Sequence, residues 1–265
     1  MVIKSLRLEF RKQLPSATFW IMLSLHAFVL ILVATNLNTF LKNANIMVND
    51  IPDLDLALKP ILQFPDVWQN VTYIAGYFKI VLALIIITSV SNEFASATAR
   101  QNIIDGLSRR QWLYTKIGLA KVLALFSTLL VLAVCLTLGF SQGNQVELAD
   151  VFTGIDFLLA YFIELVVYFI YALFLTLLLK RTGLSVILLL AYDFIIEPIL
   201  SWSAPEQFRP FMPMNAIDNL NKFPFTKYVE AGGQGVVSLE QLAWAISYGV
   251  LFAFLSYLIL KKRDL

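Results

Sequence analysis

Four ionisable side chains, Lys79, Glu164, Asp193 and Glu197, lie inside long runs of apolar residues. A charge in such surroundings is costly, so it is either paired or used. Lys79 and Glu164 sit at similar depth, roughly 10 to 12 Å from the ends of their runs at ~1.5 Å per helical residue. They can pair as a structural bridge or contact a substrate. Asp193 and Glu197 are four residues apart and so share one helix face, with Pro198 beyond them as a kink. Two acids on one face suit a polar interior surface, a proton relay or a cation site; the plainer alternative leaves Glu197 at the membrane interface. His26 is alone in its run, which suits a hydrogen bond between packed helices better than a ligand site. Cys135 is also alone, which gives no disulfide, cysteine metal site or redox pair. The sequence has no G-x-x-x-x-G-K-[ST] phosphate loop, no G-x-S-x-G and no H-E-x-x-H. No catalytic, metal or cofactor-binding residue is therefore expected, and energy for any work must come from a gradient or a separate subunit.

A second stretch with chemical character runs from Glu93 to Lys116, a polar segment between two apolar runs. Thr98 with Gln101, and Ser108 with Gln111, have the spacing of capping boxes. Gly106 between them suits a left-handed helix cap. The pattern predicts a helix from Ala99 to Asp105, a tight turn, and a new helix running into the next apolar run. A helix of two turns is marginal alone. It is expected to dock through Ile103, Ile104 and Leu107, either on the chain's own surface or on a partner.

The elements that position these residues follow from composition. The 265 residues are 59% hydrophobic and 14% charged, well below the ~25% charge of a soluble domain. Six apolar runs, about 19–37, 71–90, 117–140, 157–179, 183–200 and 242–260, each approach the ~20 residues that cross a bilayer as a helix. The expectation is a single all-α membrane domain over residues 1–265 with six transmembrane helices. With both termini in the cytoplasm, the inner side holds Lys4, Arg7, Arg11, Lys12, Arg100, Arg109, Arg110, Lys116, Lys180, Arg181, Lys261, Lys262 and Arg263. The outer side then holds Lys42, Lys59, Arg209, Lys222 and Lys227. This bias places both termini inside. Asp50, Asp53, Asp55, Asp66, Glu147, Asp150 and Asp156 gather on the outer side. Trp20, Trp68, Tyr73, Trp112, Trp202, Trp244 and Tyr257 fall near run ends, where interfacial rings belong. A net charge of +2 arranged in this way is a topology signal and points to no nucleic-acid partner.

Ahead of the first run, Ile3, Leu6, Phe10 and Leu14 alternate with Lys4, Arg7, Arg11 and Lys12, which predicts an amphipathic helix on the membrane surface ending at Pro15. Lys180-Arg181-Thr182 joins the fourth and fifth runs as a tight antiparallel hairpin. Residues 38–70, with Pro52, Pro60 and Pro65, form an outer segment of mixed helix and loop. Residues 202–241 carry four prolines among many apolar side chains, including Phe223 and Phe225, and suit short re-entrant helices before the last span. Gly232-Gly233-Gln234-Gly235 makes a turn at its end.

Glu93, Thr98, Arg100, Gly106, Ser108, Arg109 and Lys116 together resemble the E-x-x-x-G-T-x-R-x-x-x-x-x-G-x-S-R…K signature of ABC-2 type ABC transporter permeases. Ala97 departs from it, standing where the family carries Gly. The resemblance implies a permease subunit, usually an exporter, in a bacterial inner membrane. It pairs with a second copy, identical or related, and binds two copies of a cytosolic ABC ATPase that holds the ATP and Mg²⁺. The helix from Thr98 to Gly106 would be the coupling helix, with Glu93, Thr98, Arg100, Ile103, Ile104, Gly106, Ser108, Arg109 and Lys116 linking it to the ATPase. Glu93 would anchor the connection by accepting from Arg100 or Arg109. The rival reading is a gradient-driven carrier or channel using Lys79, Glu164, Asp193 and Glu197. A third is a membrane anchor for another complex.

Overall fold

The computed structural model describes residues 2–47, 61–142, 147–222, 224 and 237–262. Asp50, Pro52, Asp53, Asp55, Lys59, Pro60, Phe223, Phe225, Lys227, Arg263 and the turn from Gly232 to Gly235 lie outside the described residues.

Among the described residues every regular element is a helix. They are α1 (Val2–Gln13), α2 (Ala17–Met47), α3 (Asp66–Gly76), α4 (Lys79–Ala95), α5 (Thr98–Ile104), α6 (Arg109–Gln142), α7 (Leu148–Phe152), α8 (Asp156–Leu179) and α9 (Thr182–Ala191). A π-helical turn (Tyr192–Ile196) leads into α10 (Glu197–Ser203). After a 3₁₀ turn (Glu206–Phe211) come α11 (Pro213–Asp218), a second 3₁₀ turn (Asn219–Asn221) and α12 (Leu239–Lys262).

Five segments are long and apolar enough to cross a membrane: Ala17–Asn36, Arg109–Ser141, Leu148–Leu179, Thr182–Ser203 and Leu239–Lys262. A sixth qualifies only if α3 and α4 are taken together, and these two are bent by 44°. The chain thus has the build of an all-helical, multi-pass membrane protein. The run expected as one span over 71–90 is broken at Tyr77 and Phe78. His26 on α2 is the cause we identify: its Nδ1 donates to the Phe78 carbonyl (3.2 Å), which also accepts the Val81 N–H (3.2 Å). A side chain inserted into the backbone ladder is a standard source of a kink.

α8 is the central helix. Its span is 72% buried within the chain against 17% for α2 and for the α9–α10 span, so the latter two present most of their surface outward. α8 packs on α3, α4, α6 and α12 through Leu165, Tyr168, Phe169, Leu173 and their neighbours. α8 and α9 form the expected tight hairpin, with Lys180 in the left-handed region (φ 54°) and its ammonium 4.8 Å from the centre of the Phe94 ring. One end of the bundle gathers α1, α5, the start of α6 and the last turn of α12. Arg109 Nη1 there donates to the carbonyls of Leu260 and of Lys261 (3.0 Å), two of the acceptors a helix leaves free at its C-terminus. Trp68 and Trp112 differ from the interfacial rings expected. Both are buried, and their indole N–H groups donate to the Val151 carbonyl (2.9 Å) and to Glu93 (2.7 Å).

Candidate functional site

Two buried polar clusters sit near opposite ends of α4, fourteen residues apart, or ~21 Å along a helix. The first centres on Lys116, whose side chain is 1% exposed. Its Nζ lies 2.6 Å from Glu9 Oε1, 3.0 Å from Glu93 Oε1 and 2.9 Å from Ser89 Oγ. Glu93 also accepts from Lys12 (3.2 Å) and from the Trp112 indole, while Gln13 donates to Glu9 (3.2 Å) and Ser89 (2.7 Å). Arg100 and Arg109, the expected partners of Glu93, are not bonded to it; Arg109 reaches α12 instead. Burial pushes the Glu9 carboxyl up, but the Lys116 ammonium and hydrogen bonds from Lys116, Gln13 and Ser89 outweigh that and hold it below its ordinary range.

α1 is therefore clamped to the bundle by a polar face. Leu6, Glu9, Phe10 and Gln13 turn inward at i, i+3, i+4 and i+7, while Leu8 and Leu14 are exposed. The expected stripe included Leu14 and passed over Glu9. The Glu9–Gln13 spacing beside Leu6 was the available signal.

Beyond this cluster the chain turns sharply twice, at Ala97 and at Gly106. Ala97 adopts φ 55°, the left-handed region, where the pattern quoted above carries Gly. α5 follows directly, beginning one residue earlier than expected. Thr98 does not cap it: its hydroxyl lies 3.0 Å from that of Ser96, and Gln101 donates to Asp105 (2.9 Å). A capping residue needs extended backbone, and the left-handed residue before Thr98 leaves it already inside the helix. The far end of α5 does match expectation. Gly106 (φ 98°) donates to the Ile103 carbonyl (3.0 Å) and Leu107 N–H to that of Asn102 (3.0 Å), which is a Schellman closure. The second capping box also forms: Ser108 N–H donates to Gln111 Oε1 (3.0 Å), and Gln111 N–H to Ser108 Oγ (3.2 Å). Within the chain α5 docks by Ala99 and by Leu107 beyond its end. Arg100 and Gln101 are exposed, and so is Ile104 at 68%.

The second cluster centres on Lys79, which bonds Glu164 (3.0 Å) as expected and also Asp218. Asn221 donates to the other Glu164 oxygen (2.9 Å). Asp218 and Asn221 tie the segment that follows α10 to α4 and α8. Asp193 and Glu197 do not share a role. Asp193 accepts from the Tyr168 hydroxyl (2.9 Å), whereas Glu197, 1% exposed, accepts the Met214 (2.9 Å) and Asn215 (2.6 Å) N–H groups at the start of α11. A π turn lies between them, and each takes its own partner. Pro198, whose ring clashes with the preceding turn and supplies no N–H, accounts for the departure from α-helical pairing there.

Tyr161, Tyr168 and Tyr171 recur with Glu164 at helical spacing on α8; the charge of Glu164 stands out in the sequence, and the tyrosines beside it are the part of the stripe not expected. His26 is fully buried, as a helix-packing residue should be. Because Nδ1 donates to a carbonyl, Nε2 accepts from Ser127 (2.8 Å), whose oxygen then accepts from Tyr161 (2.8 Å). Cys135 is likewise buried. No group of three or more metal-ligating side chains is found among the described residues.

A comparison with curated proteins gives no match. Residues 27–265 match a family model, and the chain accordingly belongs to the family described as "Protein of unknown function (DUF2705)".

Proposed function

We propose that this chain is the membrane permease subunit of an ATP-driven transporter of the ABC-2 type, and an exporter. It crosses a bacterial inner membrane six times, α3 and α4 forming one bent span, with both termini and α5 in the cytoplasm. α5 is the coupling helix, gripped by a separate ATPase. The observation that carries this reading is the geometry of residues 93–116. A seven-residue helix is closed at its end by a Schellman turn and continues through a reciprocal capping box into α6, while Arg100, Gln101 and Ile104 face outward. The left-handed Ala97 agrees with it, since a glycine in the pattern at this position suits that conformation.

Below α5, Lys116 joins α1, α4 and α6 into one body. A push on α5 is then delivered to both spans that flank it. The membrane copy beside this one is the same chain or a related one, and the outward faces of α2, α9 and α10 are available to it and to lipid.

Affinity purification of the full chain from its native membranes tests the reading. An ATP-hydrolysing subunit should be retained by the wild type and lost from Arg100→Ala and Ile104→Asp, with the chain itself still folded. Equal recovery of a stable, transport-competent chain without any ATPase would refute it. The second reading, a gradient-driven carrier, is favoured by the polar cavity around Lys79, Glu164 and Asp193. It requires ion-dependent transport by the purified chain alone.

A further inference from the structure

Around the second cluster lies a cavity of about 230 Å³. α3 supplies Tyr73 and Gly76, the break after it Tyr77, α4 supplies Lys79, α8 Glu164, the π turn Asp193 and Phe194, and the end of α11 with the segment after it closes the cavity. Gly76 lets the carboxylate approach: a Cβ on it would stand 2.9 Å from Glu164 Oε1 and displace that side chain. Three carboxylates, Glu164, Asp193 and Asp218, face one buried ammonium. Lys79 is already shared between Glu164 and Asp218. Lys222 is exposed at the rim and turns to the Gln241 side-chain oxygen (3.2 Å). Asp193 has the Tyr168 hydroxyl and forms no ion pair among the described residues.

A part-buried carboxylate among long apolar helices, facing two other carboxylates, calls for a counter-charge. The walls point to what kind. Tyr73 and Tyr77 stand edge to face, 5.3 Å between ring centres, and Tyr77 and Phe194 are 57% and 58% exposed at the mouth. Aromatic faces beside an acid are the usual surroundings of an organic ammonium group. Asp193 is also carried by a π-helical turn, a distortion found often where a helix serves a site. The volume suits a small head group and not a drug-sized molecule.

We propose that this cavity binds the ammonium head of a small organic cation, with Asp193 as its counter-ion and Tyr73, Tyr77 and Phe194 as its walls. The hydrocarbon part of such a ligand leaves through the Tyr77–Phe194 mouth. The site stands whether ATP or a gradient drives movement, and its test needs neither.

The full chain in a non-ionic detergent is titrated with ethylammonium chloride and choline chloride. Sodium chloride and sodium acetate at equal ionic strength serve as controls, with calorimetry and the thermal midpoint as readouts. At least one ammonium salt should bind saturably and raise the midpoint, while the sodium salts do neither. Asp193→Asn, which keeps the Tyr168 contact, should weaken binding by about tenfold or more, and Tyr77→Leu severalfold. Should Asp193→Asn fail to fold, Tyr77→Leu and Phe194→Leu at the exposed mouth decide the matter. Responses to sodium equal to those with ammonium, no saturable binding, or unchanged affinity in the variants that fold would each overturn the site.

Discussion

Lys116 is held by two carboxylates that come from different helices, which makes each of them a load on the N-terminal end of the fold. Removing Glu9 leaves Lys116 with Glu93 alone, so Glu9→Ala should cost about 2 kcal/mol. Lys116→Met leaves two buried carboxylates facing each other and should cost more, about 3 to 5 kcal/mol. Chemical denaturation in detergent reads both. The Glu9 carboxyl titrates below its ordinary value of 4.5 in the folded chain, so its stabilisation is complete above that pH. It is lost as the pH falls through the lower folded value. The stability gap between wild type and Glu9→Gln should therefore hold at neutral pH and shrink in acid below 4.5; a gap that widens in acid would contradict the assignment. At the next turn, Ala97 carries left-handed strain of ~1–2 kcal/mol that glycine does not, offset in part by the greater freedom of glycine when unfolded. Ala97→Gly should stabilise the chain by roughly 0.5 kcal/mol. Gly106→Ala should destabilise it through the backbone alone, because nothing lies within 4 Å of the added methyl.

At the scale of the element, α5 is separable from the fold that carries it. Ile104→Asp and Arg100→Ala change exposed positions and should leave the unfolding midpoint within ~0.5 kcal/mol of wild type, while ATPase retention is lost. Loss of the fold along with the partner would mean that α5 is a structural strut. The end of α5 and the start of α6 were legible, because a Schellman glycine and a capping box are written within six residues. The start of α5 was not. Ala97 takes a conformation its side chain disfavours, which no local propensity announces. Glu93 was recognised but paired wrongly for a related reason. Its partners Lys12 and Lys116 lie 81 and 23 residues away, whereas Arg100 was close in sequence.

For the molecule as a whole, apolar run length located the long apolar helices and was silent on their breaks. Hydrophobicity records where a helix can sit in lipid; a bend depends on which side chain reaches its backbone. His26 at Phe78 is fifty-two residues distant in sequence. The second cluster was half legible for the same reason: Lys79 and Glu164 stood out as charges within apolar runs. Asp218 lies in the proline-rich segment between apolar runs and carried no such contrast. Orientation can be measured with introduced cysteines against a silent background, since the native Cys135 is fully buried. In intact cells a membrane-impermeant maleimide should label Glu147→Cys at one end of the bundle and spare Gln101→Cys at the other. The reverse pattern would place α5 outside and remove it from any cytosolic ATPase.

The most direct measurement places a photo-reactive amino acid at Ile104 and irradiates native membranes. A coupling helix should cross-link in high yield to a nucleotide-binding protein, and the yield should change when a non-hydrolysable ATP analogue is added. Cross-links confined to lipid or to this chain's own residues, in membranes that still perform the transport, would contradict it.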